Sequence, residues 1–322
     1  MFNILRLVQN ENLKIYKRMS TWIMISLLIL SVVIGGIATK FLMNPNDGNP
    51  ETNWKEELQV RNEQLQMDIE QIENAVGAGS ATKPLEEEVL INNYRIENDI
   101  APVESETLWG FMISAPNFTT FASLFAIVIG AGIVASEFST GTIKLLLIRP
   151  VNRYKILLSK YLATLLFAFL LVLLIFITAF IVGSIMYGFQ GIDLPYLVYT
   201  EGQFVEKNML NHIITLFGLN SVNLIMMVTF AFMISTVFRS SSLAIGLSLF
   251  LMFTGQQIVM LLSQYDWVKY ILFANTDLTQ YFSGSPVVEG MTLTFSVTIL
   301  AVYFLFFNVA SWVIFQKRDV AA

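Results

Sequence analysis

The chain contains no cysteine and a single histidine, His212. The first absence excludes disulfides, iron–sulfur clusters and thiolate zinc sites; the second excludes a multi-histidine metal centre. Charge is also scarce. Asp, Glu, Lys and Arg make up 13% of the 322 residues, against about 25% in ordinary soluble domains. So few charged side chains leave too little polar surface for a soluble protein of this size. A G-x-x-x-x-G-K-[ST] loop is missing. The nearest spacing, Gly183 to Gly188, runs into Phe189 within an apolar stretch, without the lysine that reaches nucleotide phosphates. There is no HExxH, paired-aspartate or Ser/His constellation. The sequence therefore offers no catalytic residue and no metal ligand set.

What it has in quantity is apolar: 55% hydrophobic residues, 26 Phe and 14 Met, with a mean hydropathy of +0.63. A membrane-spanning helix needs roughly 20 mostly apolar residues. Six runs qualify: Thr21–Met43, Phe118–Ser136, Tyr161–Phe189, Leu210–Phe238, Ser242–Ser263 and Met291–Phe315. Their one charged residue is Lys40, close enough to an end to snorkel to the headgroups. The first run follows Lys14, Lys17 and Arg18, as a signal peptide would. It exceeds the roughly 7–15-residue apolar region of such a peptide, and five more runs follow, so it reads as an uncleaved first span.

The basic residues set the orientation. Twelve of the 19 lie in the N-terminal segment, the loops after the second and fourth runs and the tail, with only Glu11, Glu137 and Asp319 against them. The opposite side carries most of the acids. Both termini are therefore expected in the cytoplasm, and an even number of spans, which puts them on one side, agrees. The predicted fold is an all-α integral membrane protein with six transmembrane helices. Residues 1–20 form an amphipathic helix on the inner leaflet, 21–43 the first transmembrane helix and 44–117 an extracellular insertion. Residues 118–322 form transmembrane helices 2–6, with a cytoplasmic loop at 137–160.

In the insertion, Trp54, Leu58, Leu65, Ile69, Ile72 and Val76 fall at helical spacing, and Leu85, Val89, Ile96 and Ile100 mark a second helix beyond a Gly-rich break. A helical hairpin is expected. Its fifteen acids leave open whether it is only a solvated hairpin or attracts cations. The segment Gln264–Gly290 is rich in Tyr, Trp and Phe and is expected to form short helices at the outer interface. Inside the spans, Gly130-Ala-Gly132 follows no strand and reads as a close helix contact. Asn220, Asn223, Gln256 and Gln257 either bond between helices or line a substrate path.

The most informative stretch is Ala135–Lys160, ASEFSTGTIKLLLIRPVNRYKILLSK. Ser139, Thr140 and Thr142 can bond free backbone groups at a helix end, Gly141 permits a sharp turn, and Arg149-Pro150 stops the short apolar run after it. A short helix beneath the membrane between two turns is expected. Glu137-Phe-x-x-Gly141-Thr142, the Leu run, Arg149-Pro150-Val-x-Arg153 and Lys160 together resemble the type 2 ABC-transporter permease family. Tyr270–Leu278 is similar to it more weakly. The 44–117 insertion resembles members with an enlarged first outer loop.

This resemblance implies a bacterial cell-membrane permease, the membrane subunit of an ATP-driven exporter. Glu137, Gly141, Thr142, Arg149, Pro150 and Arg153 would form its coupling element, docked on a separate cytoplasmic ATP-binding subunit that holds the ATP and Mg. The chain itself would bind no cofactor and no nucleic acid. A second copy or a paralogue would complete the pathway among membrane lipids, and the substrate would be hydrophobic or amphipathic: a lipid, a drug or an antimicrobial peptide. The alternative is a membrane sensor or scaffold whose outer hairpin detects a ligand. An ion-coupled carrier is disfavoured, because the span cores lack the ionisable groups that bind a proton or cation.

Overall fold

The structure is a computed structural model that describes residues 4–41, 54–76, 82–142, 151–189, 191–200, 203–238, 240–282, 286–288 and 290–317. It is mostly helical. The helices are α1 (Ile4–Tyr16), α2 (Met19–Phe41), α3 (Trp54–Val76), α4 (Lys83–Asn98), α5 (Leu108–Ser114), α6 (Thr119–Ser139), α7 (Arg153–Tyr187), α8 (Met209–Phe238), α9 (Ser241–Leu262), α10 (Leu272–Asn275) and α11 (Leu293–Lys317). Strands β1 (Tyr196–Thr200) and β2 (Gln203–Lys207) pair as an antiparallel hairpin between α7 and α8. Among the described residues, six segments are long and apolar enough to cross a membrane: α2, α5 to α6 taken together, α7, α8, α9 and α11. The six expected spans are present.

Two boundaries differ from the sequence expectation. The second span starts ten residues early, so residues 108–117 leave the hydrophilic insertion and join the bundle. The Thr107 side chain caps α5 by accepting from the Gly110 backbone N–H at 3.1 Å. Leu108, Phe111 and Met112 are fully buried. The run was too short to read as a span because Pro116 breaks it. The break is realised as a 3₁₀ turn, Ala115–Phe118, that leads straight into α6. Two glycines admit α5: a Cβ at Gly183 would come within 2.8 Å of Leu108, and one at Gly36 within 3.4 Å of Phe111.

The second difference lies at α7. Its 35 residues make a rod about 52 Å long at 1.5 Å per residue, well beyond a hydrocarbon core of about 30 Å. The excess takes up the end of the expected loop, so Arg153–Lys160 are the first turns of a helix.

The centre of the bundle is α6 against α7 and α8. Small residues on α6, among them Ala122, Ala126, Ala131 and Ala135, are fully buried and let the backbones approach. Ser235 on α8 donates to the Ala131 carbonyl and accepts from the Ala135 N–H. Gly130 belongs to this contact, since a Cβ there would meet Thr164 at 3.3 Å, whereas one at Gly132, though that residue is buried, would meet no described neighbour within 4 Å. Helices α9 and α11 lie outside and expose Phe250, Leu261, Leu305 and Phe306.

Helices α3 and α4 pack side by side. Leu65 is buried in their seam, but so are Asn62 and Asn92, with Asn92 Nδ2 donating to Asn62 Oδ1 at 2.8 Å. The Tyr94 ring of α4 stacks on Phe204 of β2 at 4.1 Å. Between α9 and α11, short helical turns surround Asn275. Its amide donates to the Lys269 and Ile271 carbonyls, and its Oδ1 accepts from Ser296 at 2.7 Å.

Candidate functional site

Helix α1 places Val8, Glu11 and Ile15 on its buried face, a spacing of one and two turns. Its free C-terminal carbonyls are satisfied from the next helix. Thr21 Oγ1 donates to the Ile15 carbonyl at 2.6 Å, and Trp22 Nε1 to that of Tyr16 at 2.9 Å. These bonds fix the corner between α1 and α2 and aim Glu11 at the start of α7.

There it meets Lys160, whose side chain is 1% exposed. Lys160 Nζ lies 2.9 Å from Glu11 Oε2 and 2.6 Å from Glu137 Oε1, the latter at the end of α6. Lys14 closes the ring from the rim, 2.6 Å from Glu11 Oε1 and 3.2 Å from Glu137 Oε1. Two ammonium groups face two carboxylates, so the cluster is neutral. It joins α1, α6 and α7 at one point. Burying these charges is costly unless each is paired, and the ring supplies that pairing. The Glu137 Oε2 atom is the exception: it is buried without a hydrogen-bond partner. Glu137 borders a cavity of about 30 Å³, enough for one water.

The ring also tunes α1. Burial pushes the Glu11 carboxyl up, but the Lys160 charge and the hydrogen bonds from Lys14 and Lys160 outweigh it, and its pKa falls below the ordinary 4.5. Burial pushes Lys14 down, but its bond to Glu11 and the charges of Glu11 and Glu137 outweigh it, and its pKa rises above 10.5. A depressed acid gives stability that is present above its unfolded pKa and lost as the pH falls through the folded one. A raised base gives stability that is present below its unfolded pKa and lost as the pH rises through the folded one. Protection of α1 from trypsin should therefore stay level between pH 4.5 and 10.5 and loosen in stronger acid. Hydrogen exchange of α1 checks this where trypsin is inactive.

Beyond Glu137 the chain turns as expected. Gly141 has φ +70°, the left-handed region. Thr140 Oγ1 donates to the Ser136 carbonyl at 2.7 Å and lies 2.9 Å from Thr142 Oγ1. Glu137, Gly141 and Thr142 thus sit together. Arg149, Pro150 and the short helix expected before them fall outside the described residues. Arg153 is placed elsewhere, at the first turn of α7, where its Nη1 donates to the Gln316 carbonyl at the end of α11, at 3.3 Å. The four amide residues do not converge. Asn220 donates within its own helix to the Leu216 carbonyl at 2.9 Å, Asn223 is half-buried, and Gln256 and Gln257 are exposed on α9.

Of this ring the sequence analysis names Glu137 and, as the end of the family-like segment, Lys160, but not Glu11 or the contact between them. A signal existed: Glu11 is the one acid of a basic segment and shares a helix face with Val8 and Ile15.

A family model described as protein of unknown function (DUF2705) matches residues 87–321. The uncharacterized protein YhcI of Bacillus subtilis (strain 168) is 44% identical over 322 residues, covering 99% of this chain and all of that relative. The uncharacterized membrane protein YdbK of the same strain is 35% identical over 218 residues, covering 67% of this chain and 84% of that one. With six apolar helices and a membrane-protein relative, the chain is a multi-pass membrane protein.

Proposed function

The chain belongs to the DUF2705 family, and we propose that it is the membrane-spanning permease subunit of an ATP-driven exporter in the bacterial cell membrane. Its type is that of the ABC permeases its 137–160 segment resembles. ATP is hydrolysed by a separate cytoplasmic subunit, and a second copy or a paralogue completes the pathway. Both termini and the α6–α7 connection lie in the cytoplasm, and the α3–α4 pair stands outside. The cargo is hydrophobic or amphipathic.

The observation that carries this reading is the neutral ring of Glu11, Lys14, Glu137 and Lys160 directly before the Gly141 turn. Force applied to the segment after Gly141 reaches α6 through the backbone, and α1 and α7 through the ring. A receiver of mechanical work needs such a joint. The absence of a phosphate loop in the sequence agrees with ATP being used by a partner.

Gly141 gives the test. Its φ of +70° is closed to proline, whose ring fixes φ near −65°, while a Cβ there would meet no atom of the described residues within 4 Å. Against the described residues Gly141→Ala therefore costs backbone strain, about 1–2 kcal/mol. Gly141→Pro is expected to abolish ATP-dependent flux of a membrane-active peptide from reconstituted vesicles while the protein still inserts. A sensor would behave differently: deleting residues 52–100 would silence it, and no flux would depend on ATP.

A further inference from the structure

Helix α3 carries a seven-residue repeat. Leu58, Leu65 and Ile72 form one line along it, and Leu65 is buried in the seam with α4. Seven residues are close to two helical turns, so each such set shares a face. A second apolar line points away from that seam: Val60 and Met67, 66% and 56% exposed. Glu56, Glu63 and Glu70 run beside it. Val60 lies three or four residues from Glu56 and Glu63, and Met67 from Glu63 and Glu70, so they are neighbours on the helix surface. All three acids are exposed, as are Gln64, Gln71 and Asn74, which complete the face.

The cations of the hairpin are engaged elsewhere. Lys55 Nζ lies 2.7 Å from Asp99 Oδ1, Arg61 Nε 3.0 Å from Glu88 Oε1 and Lys83 Nζ 4.0 Å from Glu87 Oε1. Arg95 is buried and donates to the Ala101 carbonyl at 2.8 Å. Among the described residues Glu63 and Glu70 make no ion pair. The whole of α3 holds six acids against two bases. A second copy of the chain would bring another helix of the same sign to this face, and like charges on adjoining helical surfaces repel. A partner that covers Val60 and Met67 must therefore supply apolar side chains and positive charge together.

We infer that this face of α3 is the docking surface for a cationic amphipathic peptide. Its apolar side chains lie on Val60 and Met67, and its lysines or arginines on Glu56, Glu63 and Glu70. The inference deepens the exporter reading by naming the cargo, and it rests on that reading for the peptide's fate but not for its binding.

The test uses the purified full-length protein in phosphatidylcholine nanodiscs, without ATP or any ATPase. The probe is a fluorescent helical peptide of repeated Leu-Lys-Lys-Leu-Lys-Lys-Leu. A counterpart carries glutamate in place of lysine, and empty nanodiscs give the baseline. The lysine peptide should bind above that baseline and the glutamate peptide should not. An exposed charge pair is worth up to roughly fivefold in affinity, so Glu63→Gln/Glu70→Gln should weaken binding roughly tenfold. Val60→Gln/Met67→Gln, which removes the apolar line and keeps the charge, should also weaken it. Glu86→Gln/Glu97→Gln removes the same charge from exposed positions on α4 and should change affinity by less than about twofold. A lysine peptide that stays at the baseline would overturn the inference. So would a glutamate peptide that binds as well, α3 variants that bind like the wild type, or an α4 control that weakens as much. Each of these leaves the exporter reading standing, since that reading fails on the absence of an ATPase or of ATP-driven flux.

Discussion

Lys160→Met is expected to destabilise the protein by about 3–5 kcal/mol, the cost of breaking a buried ion pair by removing one partner. The variant keeps the length of the side chain and loses the ammonium. Glu11 and Glu137, whose side chains are 8% and 12% exposed, then share only Lys14, and one negative charge is left buried. Their one escape is to open the joint, so α1 should detach first. The expected result is a lowered unfolding midpoint in detergent, preceded by tryptic cleavage at Lys14 and Lys17. Glu11→Gln combined with Lys160→Met leaves a neutral Glu137–Lys14 pair and should recover most of the loss. The two substitutions should thus couple by 0.5–3 kcal/mol or so, as contacting residues do. Additive effects would mean that the ring does not hold α1.

Gly110→Ala is expected to be comparably harmful for a different reason. A Cβ at this position would overlap the Glu104 carbonyl oxygen and lie 2.7 Å from the Ser105 Cα. Both are backbone, so no rotamer change relieves the clash. Either the 104–107 turn moves or α5 is levered away from α7, where Leu108 and Phe111 are fully buried. Overpacking of this kind costs about 1–3 kcal/mol, and loss of the Thr107 cap adds about 1 kcal/mol. Gly218→Ala is the control. A Cβ there meets nothing among the described residues within 4 Å, and alanine favours a helix by about 1 kcal/mol over glycine. Thermal unfolding of the two variants should move in opposite directions. Equal midpoints would mean that the α5 turn is not tightly packed.

The six spans were legible because their signal is local: about 20 apolar residues in a row need no knowledge of neighbours. The Gly141 turn was legible for the same reason, since Ser-Thr-Gly-Thr after a helix carries its own chemistry. What escaped depends on contacts distant in the chain. Lys160 reads in the sequence as the basic end of the 135–160 segment, and only the arrival of Glu11, 149 positions away, shows it as one half of a buried pair. Leu108–Phe111 looked like the tail of a hydrophilic insertion because Pro116 cuts it from the longer run. Gly36 and Gly183, on two other helices, make the slot it fills. Arg153 reads as part of a coupling loop in one dimension and as a link to α11 in three. The strands at 196–207 went unread because five-residue elements between two long spans leave only a faint alternation.

The account turns on whether the joint before Gly141 receives work from an ATPase. The most direct measurement is the ATP hydrolysis rate of whatever cytoplasmic subunit co-purifies with the affinity-tagged full chain from its native membrane, recorded alongside transport for the wild type and for Gly141→Pro. The account predicts an ATPase that travels with the wild type, and in Gly141→Pro either its loss or hydrolysis no longer matched by flux. A chain that purifies without any nucleotide-hydrolysing partner, or flux that continues unchanged through Gly141→Pro, would contradict it.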